Sequence, residues 1–333
     1  MKKLIQKLTE TFSPSGYEAA IREVIRAEIE GLADEIRVDA LGNLIALKKP
    51  TKGKDAKRIM IAAHMDEIGL VASHIDENGF IRFTAIGGVY PQMLMGSRVR
   101  FFSGTPGIVH TEPLDKPTDT PSVDKMFIDV GAKSRVDCPI KVGEVAAFER
   151  PFLDLGDRIV AKSMDDRIGC VVAIEALRAL KETPHEVYFV FTTQEEVGTR
   201  GAETSAFGID PDLGFSIDVT AWGDTPGRKN FDMALGKGPA IKIKDSGMLS
   251  DPRIVEWMIQ TAEKAKIPYQ REVLLGGTTD ARAMQLVRAG VPVGCISIPC
   301  RYVHSPSEMV DIKDVENAVK LVVALLGKPV SGL

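Results

Sequence analysis

Residues 58–75, RIMIAAHMDEIGLVASHI, decide the fold. The run RIMIAA (58–63) is short and almost wholly apolar, the pattern of a strand buried on both faces. It stops at His64, and Asp66 follows two residues on. From Gly69 the texture changes. Strand-like pieces of a few residues (GLVASHI, FIRFTAI, RVRFF, GIVH, MFIDV, EVAAF, RIVAK) alternate with Gly, Pro and Asp turns as far as Lys162. No amphipathic helix interrupts them, which is the signature of a small all-β barrel or sandwich.

Working outward, both ends of the chain read differently. Leu4, Ile5, Leu8 and Phe12 share one helical face, and SPSG (13–16) breaks it. The pattern resumes over 17–30 with Ile21, Val24, Ile25 and Ile29. A Gly42-Asn43 turn then joins two short strands, and 48–57 reads as a polar hairpin or loop. Beyond Asp165, helices are predicted at 166–181, 200–207, 251–265, 279–289 and 311–326. Strands are predicted at 186–193, 213–218, 240–244, 268–274 and 293–298. That alternation predicts a layered α/β domain. The economical arrangement is one α/β domain made of 1–68 and 163–333, with an all-β domain, 69–162, inserted in it.

Composition excludes several classes. At 333 residues the chain is long enough for a full hydrophobic core. It is 44% hydrophobic and 26% charged, which is globular rather than disordered. The net charge of −4 and the lack of a basic run argue against nucleic acid. The apolar stretch at 321–326 falls far short of the ~20 residues that span a bilayer. Lys7 and Glu10 interrupt any signal-peptide core. Cys138, Cys170, Cys295 and Cys300 form no C-x-x-C pair and read as reduced thiols of a cytoplasmic protein. Asn and Gln together number ten, a weak hint of a thermophilic source.

The polar residues that could do chemistry share one placement. His64 and Asp66 follow RIMIAA, Glu195 and Glu196 follow EVYFVFTTQ, and Asp218 closes LGFSID. His304 follows VGCISIP after a short loop, and Asp165 and Asp166 open a helix. In open α/β sheets ligands collect beyond the carboxyl ends of strands. Six carboxylates and two imidazoles at one edge repel and resist desolvation unless a cation joins them. Such a set suits zinc, cobalt or manganese better than calcium or magnesium. Asp66, at i+2 from His64, can accept the ring N–H of a ligating histidine and fix its orientation. The adjacent Glu195 and Glu196 point apart in extended chain, so one can ligate while the other holds the proton of an activated water.

Taken singly, each feature has an ordinary structural explanation. A histidine after a strand is usually a hydrogen-bonded structural residue, and Glu195-Glu196 would be a solvated turn. Asp165-Asp166 would be an N-cap and a helix-dipole partner. Asp218 is less ordinary, because an unpaired carboxylate ending an apolar strand is costly. His74, His110, His185 and the cysteines have no neighbouring ligand and are read as structural.

The ordered motifs AAHMDEIG (62–69), KSMDDRIG (162–169), TTQEEVGTRGA (192–202), DVT (218–220), GGTTDA (276–281) and VHSPSE (303–308) resemble the tetrahedral, deblocking-type aminopeptidases. The resemblance covers essentially the whole chain. It implies a cytoplasmic metallo-aminopeptidase with two divalent ions per subunit, zinc or cobalt, acting on short peptides. It further implies that His64 and Asp218 bind one ion, Glu196 and His304 the second, and that Asp165 bridges them. Glu195 would be the general base and Asp66 would orient His64. Asp166 matches no ligand position and is expected to cap the helix or pair with Arg167. The β-insert would be a dimerisation domain, and dimers would assemble into a dodecamer. Gly276-Gly277 would let backbone approach the substrate, or form a plain strand-to-helix turn.

Three other readings compete. Dipeptidases, carboxypeptidases and deacylases of the same clan place their inserted domain later, before the last histidine, whereas here it lies between His64 and Asp165. A glycoside hydrolase, the activity once attributed to some members, needs opposed carboxyls about 5–9.5 Å apart. Such sites also favour aromatic platforms, yet aromatics are 6% and the only tryptophans are Trp222 and Trp257. A non-enzymatic scaffold could keep the metal site for stability alone.

Overall fold

The computed structural model describes residues 1–51, 56–116, 118–228 and 231–330. Its strands are β1 (Glu35–Val38), β2 (Leu44–Lys48), β3 (Arg58–His64), β4 (Gly69–Ile75), β5 (Ile81–Ile86), β6 (Arg98–Phe101), β7 (Pro106–Thr111), β8 (Met126–Asp129) and β9 (Val145–Phe148). Then follow β10 (Leu153–Asp154), β11 (Arg158–Ala161), β12 (Glu186–Thr192), β13 (Leu213–Thr220), β14 (Ala240–Lys244), β15 (Gln270–Val273), β16 (Val293–Arg301) and β17 (Glu308–Asp311).

The large sheet runs β1-β2-β12-β3-β13-β16-β17-β11-β10, with β14 pairing β16 and β15 pairing β14. Its centre, β12-β3-β13-β16, is parallel, so the carboxyl ends of these strands share one edge. Strand β3 shows why the apolar run folds this way. Ile59, Ile61 and Ala63 enter one apolar layer, with helices Lys2–Thr9, Ala19–Ile29, Met164–Ala179, Pro252–Ala265 and Ile312–Leu326. Met60 and Ala62 enter the opposite layer, with helices Arg200–Ile209 and Asp280–Gln285. A strand covered on both faces must be apolar at every position. Local signals fix the helix starts. Asp251 accepts from the Arg253 N–H ahead of Pro252, and Asp311 accepts from the Lys313 N–H.

The second body is a closed six-stranded barrel, β4-β5-β8-β7-β6-β9. Strands β6 and β7 alternate strictly between exposed and buried residues. Leu70, Ile81, Phe83, Val99, Phe101, Val109, Ile128 and Phe148 fill a core separate from the sheet's. Closure leaves no unpaired edge.

Several expectations shift. RIVAK, read as part of the β-rich stretch, forms β11, which pairs with β17 of the large sheet and not with the barrel. Its alternating apolar pattern fits either partner, so the pattern carries no information about which. Strand β17 itself went unread, because EMVD is too short and acidic to signal a strand. The helix expected at 279–289 ends at Gln285. In the polar segment 48–57, residues 52–55 lie outside the described residues. Among the described residues no helix is long and apolar enough to cross a membrane.

Candidate metal centre

The parallel edge assembles the centre. His64 is the last residue of β3, and Asp218 lies near the end of β13. Glu195 and Glu196 follow β12 by a short turn, and His304 follows β16 by a short loop. Asp165 opens the helix Met164–Ala179, where Asp165 and Asp166 have non-helical backbone joined by a cis peptide bond.

Asp165 stands in the middle. Its Oδ1 lies 2.9 Å from His64 Nε2, and its Oδ2 lies 3.3 Å from His304 Nε2. The neighbouring glutamates divide between the histidines. Glu195 Oε2 is 3.9 Å from His64 Nε2, and Glu196 Oε2 is 3.4 Å from His304 Nε2. Ligand atoms of His64, Asp165 and Glu196 lie within 4.8 Å of one another, as do those of His64, Asp166 and Asp218. Among the described residues His74, His110 and His185 join no such group. All four cysteines are free.

Asp66 is fully buried and does two things. Its backbone carbonyl lies 3.2 Å and its Oδ1 3.4 Å from His64 Nδ1, which together aim the ring's other nitrogen at Asp165. Its two oxygens also accept from the backbone N–H groups of Glu195 (3.0 Å) and Glu196 (3.2 Å), pinning that turn. Burial pushes the Asp66 carboxyl up, but the hydrogen bond and charge of His64 outweigh it and hold the group below its usual range.

Elsewhere the balance goes the other way. Glu196 and Asp218 are each pushed up to about 8, by burial and then by the charge of Asp165. Burial, and then the charges of Asp218 and Asp280, raise Glu195 well above its usual value. Burial lowers His304, but the Asp165 hydrogen bond and the charges of Glu196, Asp165 and Glu308 together outweigh this and lift it to about 10. Against burial, His304 and His64 hold Asp165 well below the carboxylate range. Two buried oxygens in the cluster, Asp166 Oδ2 and Glu196 Oε1, have no hydrogen-bond partner among the described residues. So many desolvated carboxylates beside two imidazoles fit divalent cations of the zinc and cobalt type.

Three features escaped the sequence reading. Asp166 does cap the helix, accepting from the Gly169 N–H at 3.0 Å, yet a carboxylate oxygen of it also lies within 4.8 Å of ligand atoms of His64 and Asp218. It does not pair with Arg167, whose buried guanidinium donates to the carbonyls of Leu8, Thr11 and Ser13 and faces Glu67 at 3.6 Å. Glu308, inside the VHSPSE motif, is buried behind the centre, and only its place in that motif signalled it. The barrel reaches the centre too: a Cβ on Gly88 would sit 2.5 Å from His304 Nδ1.

Above the centre opens a cleft of about 790 Å³. Asp165, Glu195, Glu196, Asp218 and His304 line it together with Trp222, Tyr302, Gly276 and Gly277. The Trp222 and Tyr302 rings meet edge to face at 5.4 Å, and the Arg228 guanidinium lies 4.0 Å from the Trp222 centroid.

A parallel-core α/β sheet with histidines and carboxylates converging under a cleft defines a metallohydrolase. The comparison with known sequences is more specific. The M42 glutamyl aminopeptidase profile matches residues 42–321, and the chain belongs to that family. A lysyl aminopeptidase of Pyrococcus furiosus is 37% identical over 339 residues, covering 97% of this chain and 96% of that protein. An aminopeptidase of Desulfurococcus kamchatkensis superposes with a TM-score of 0.93 at 41% identity, covering 99% of this chain and 97% of that one. The TET1 peptidase of Pyrococcus horikoshii, described as assembling into a tetrahedron or a large octahedral shell, superposes with a TM-score of 0.88 at 35% identity. That match covers 98% of this chain and 99% of the other. The chain is therefore a metal-dependent aminopeptidase, and these findings favour neither the glycosidase nor the deacylase reading.

Proposed function

We propose that the chain removes N-terminal residues from short peptides at a centre holding two divalent ions, zinc or cobalt. His64, Asp218 and one oxygen of Asp165 would hold the first ion. Glu196, His304 and the other oxygen of Asp165 would hold the second. The observation that carries this reading is the placement of Asp165, whose two oxygens face two different histidines at 2.9 and 3.3 Å. When bound, such ions lower the pKa of water and polarise a peptide carbonyl.

The chain's own groups supply the rest. Glu195 takes a proton from the attacking water on its carboxylate and returns it to the leaving nitrogen as the C–N bond breaks. Asp66 acts through others: it orients His64 and, through the backbone, sets Glu195 and Glu196. A free substrate α-amine would approach the centre, and an N-acetyl cap removes that amine, which accounts for exopeptidase rather than endopeptidase action. The open backbone at Gly276 and Gly277 lets a peptide lie close along the cleft wall.

We also infer a homo-oligomer, dimers assembling into a dodecamer, with the inserted barrel (β4 to β9) as the dimerising unit and the sheet domain, which β10 and β11 rejoin, as the catalytic one. The assembly of the P. horikoshii relative supports this. A cytoplasmic location accords with the free thiols. Light scattering that finds a stable monomer with metal present would overturn the assembly.

The activity is tested with purified protein, added zinc or cobalt, and short peptides in free and N-acetylated forms, followed by mass spectrometry. Stepwise loss of N-terminal residues from the free forms alone is expected. Equal cleavage of the acetylated forms would contradict the proposal.

A further inference from the structure

Strands β11 and β17 pair as far as Ala161 opposite Glu308. Beyond that point the two chains part, one toward Asp165 and the other from His304. The Glu308 carboxylate spans the gap. Its Oε2 accepts from the Asp165 N–H at 3.0 Å, and its Oε1 accepts from the His304 N–H at 2.7 Å. Both segments need such a tether. Ser163, Tyr302 and His304 all have left-handed backbone, with φ of 58°, 65° and 62°. Glu308 is 2% exposed.

From this arrangement we infer that Glu308 is a positioning residue, which sets the spacing between Asp165 and His304 and so the affinity of the centre for its ions. The inference rests on the two-ion reading above. Only a carboxylate meets the requirement, because two N–H donors converge and both side-chain oxygens must accept. Glutamine offers one acceptor and turns an NH₂ group toward the other N–H. Replacing an outer residue that orients ligands typically costs 10–100-fold in metal affinity.

The molecule contains its own control. Asp314, a member of neither ligand group, clamps two backbone N–H groups in the same way, accepting from Gly236 at 2.6 Å and Gly238 at 2.7 Å. Losing that clamp costs stability without touching the centre.

The test compares Glu308→Gln and Asp314→Asn with the wild type. Zinc affinity is measured by competition with a chromophoric chelator, and the cobalt-substituted proteins by their visible absorption. Glu308→Gln is expected to weaken zinc binding about 10–100-fold and to change the cobalt spectrum. Asp314→Asn is expected to lower the melting temperature yet keep the wild-type affinity and spectrum. Wild-type affinity and spectrum in Glu308→Gln would overturn the inference, as would equal losses in both variants. Should Glu308→Gln not fold, Glu308→Asp keeps both acceptors one methylene short, and its spectrum must still differ from wild type. A wild-type protein that binds fewer than two ions would instead overturn the two-ion reading.

Discussion

His64 ends a strand of the parallel core, and its side chain is 2% exposed, whereas His304 sits in a left-handed loop with 24% of its side chain exposed. Asp66 steadies the first within the same short segment. The second is held by a loop tied to other parts of the chain: Glu308, four residues on, holds its N–H and also that of Asp165, and Gly88 of the inserted body leaves room for its ring. One half of the centre is thus set by the sheet itself. The other is assembled from three parts of the chain, and Asp165 joins the two. This difference makes the His304 half the easier to disturb.

The largest expected effect falls on neither half. Glu195→Gln should lower kcat by about 10²–10⁴-fold with metal content unchanged, read by steady-state kinetics beside elemental analysis. Surviving activity would remove Glu195 from its role and revive a centre kept only for stability.

Gly88→Val strikes the His304 half alone, since even a Cβ there would come within 2.5 Å of the imidazole. Weakening of one ion site by about 10–100-fold is expected, with the other retained. Equal weakening of both would show that the halves do not act separately.

Metal removal sharpens the same contrast. Ions binding at a thousandfold excess over Kd add about 4 kcal/mol each, so chelation should lower Tm by roughly 10 °C. Hydrogen exchange should then rise in 301–307 while β3, in the middle of the sheet, stays protected. Loss of protection in β3 would contradict the account.

Smallest of all, Gly276→Ala should change kcat/KM less than about threefold. A methyl there meets no atom within 4 Å and touches only what enters the cleft.

The same contrast explains what could be read from sequence. RIMIAAH announces a buried strand ending in a ligand, because burial on both faces leaves no polar position until the strand emerges. Asp66 was legible for the same local reason. His304 was legible only as a residue following the strand VGCISIP, since the loop that carries it has no periodicity to say where its ring points. Glu308 reaches Asp165, and Gly88 reaches His304, across long separations in the chain, and neither residue type marks such a contact. Asp166 reads as a cap, and the structure adds that its carboxylate also lies beside His64 and Asp218. The barrel's alternation was plain in β6 and β7, but pairing partners are set by the whole sheet, so β11 joined β17 unforeseen.

The central claim is that one carboxylate serves both halves. Native mass spectrometry of zinc-titrated protein tests it most directly, with wild type beside Asp165→Ala. Two ions per chain in the wild type, and loss of high-affinity binding at both sites in Asp165→Ala, are predicted. An Asp165→Ala protein that still binds one ion with wild-type affinity would contradict it.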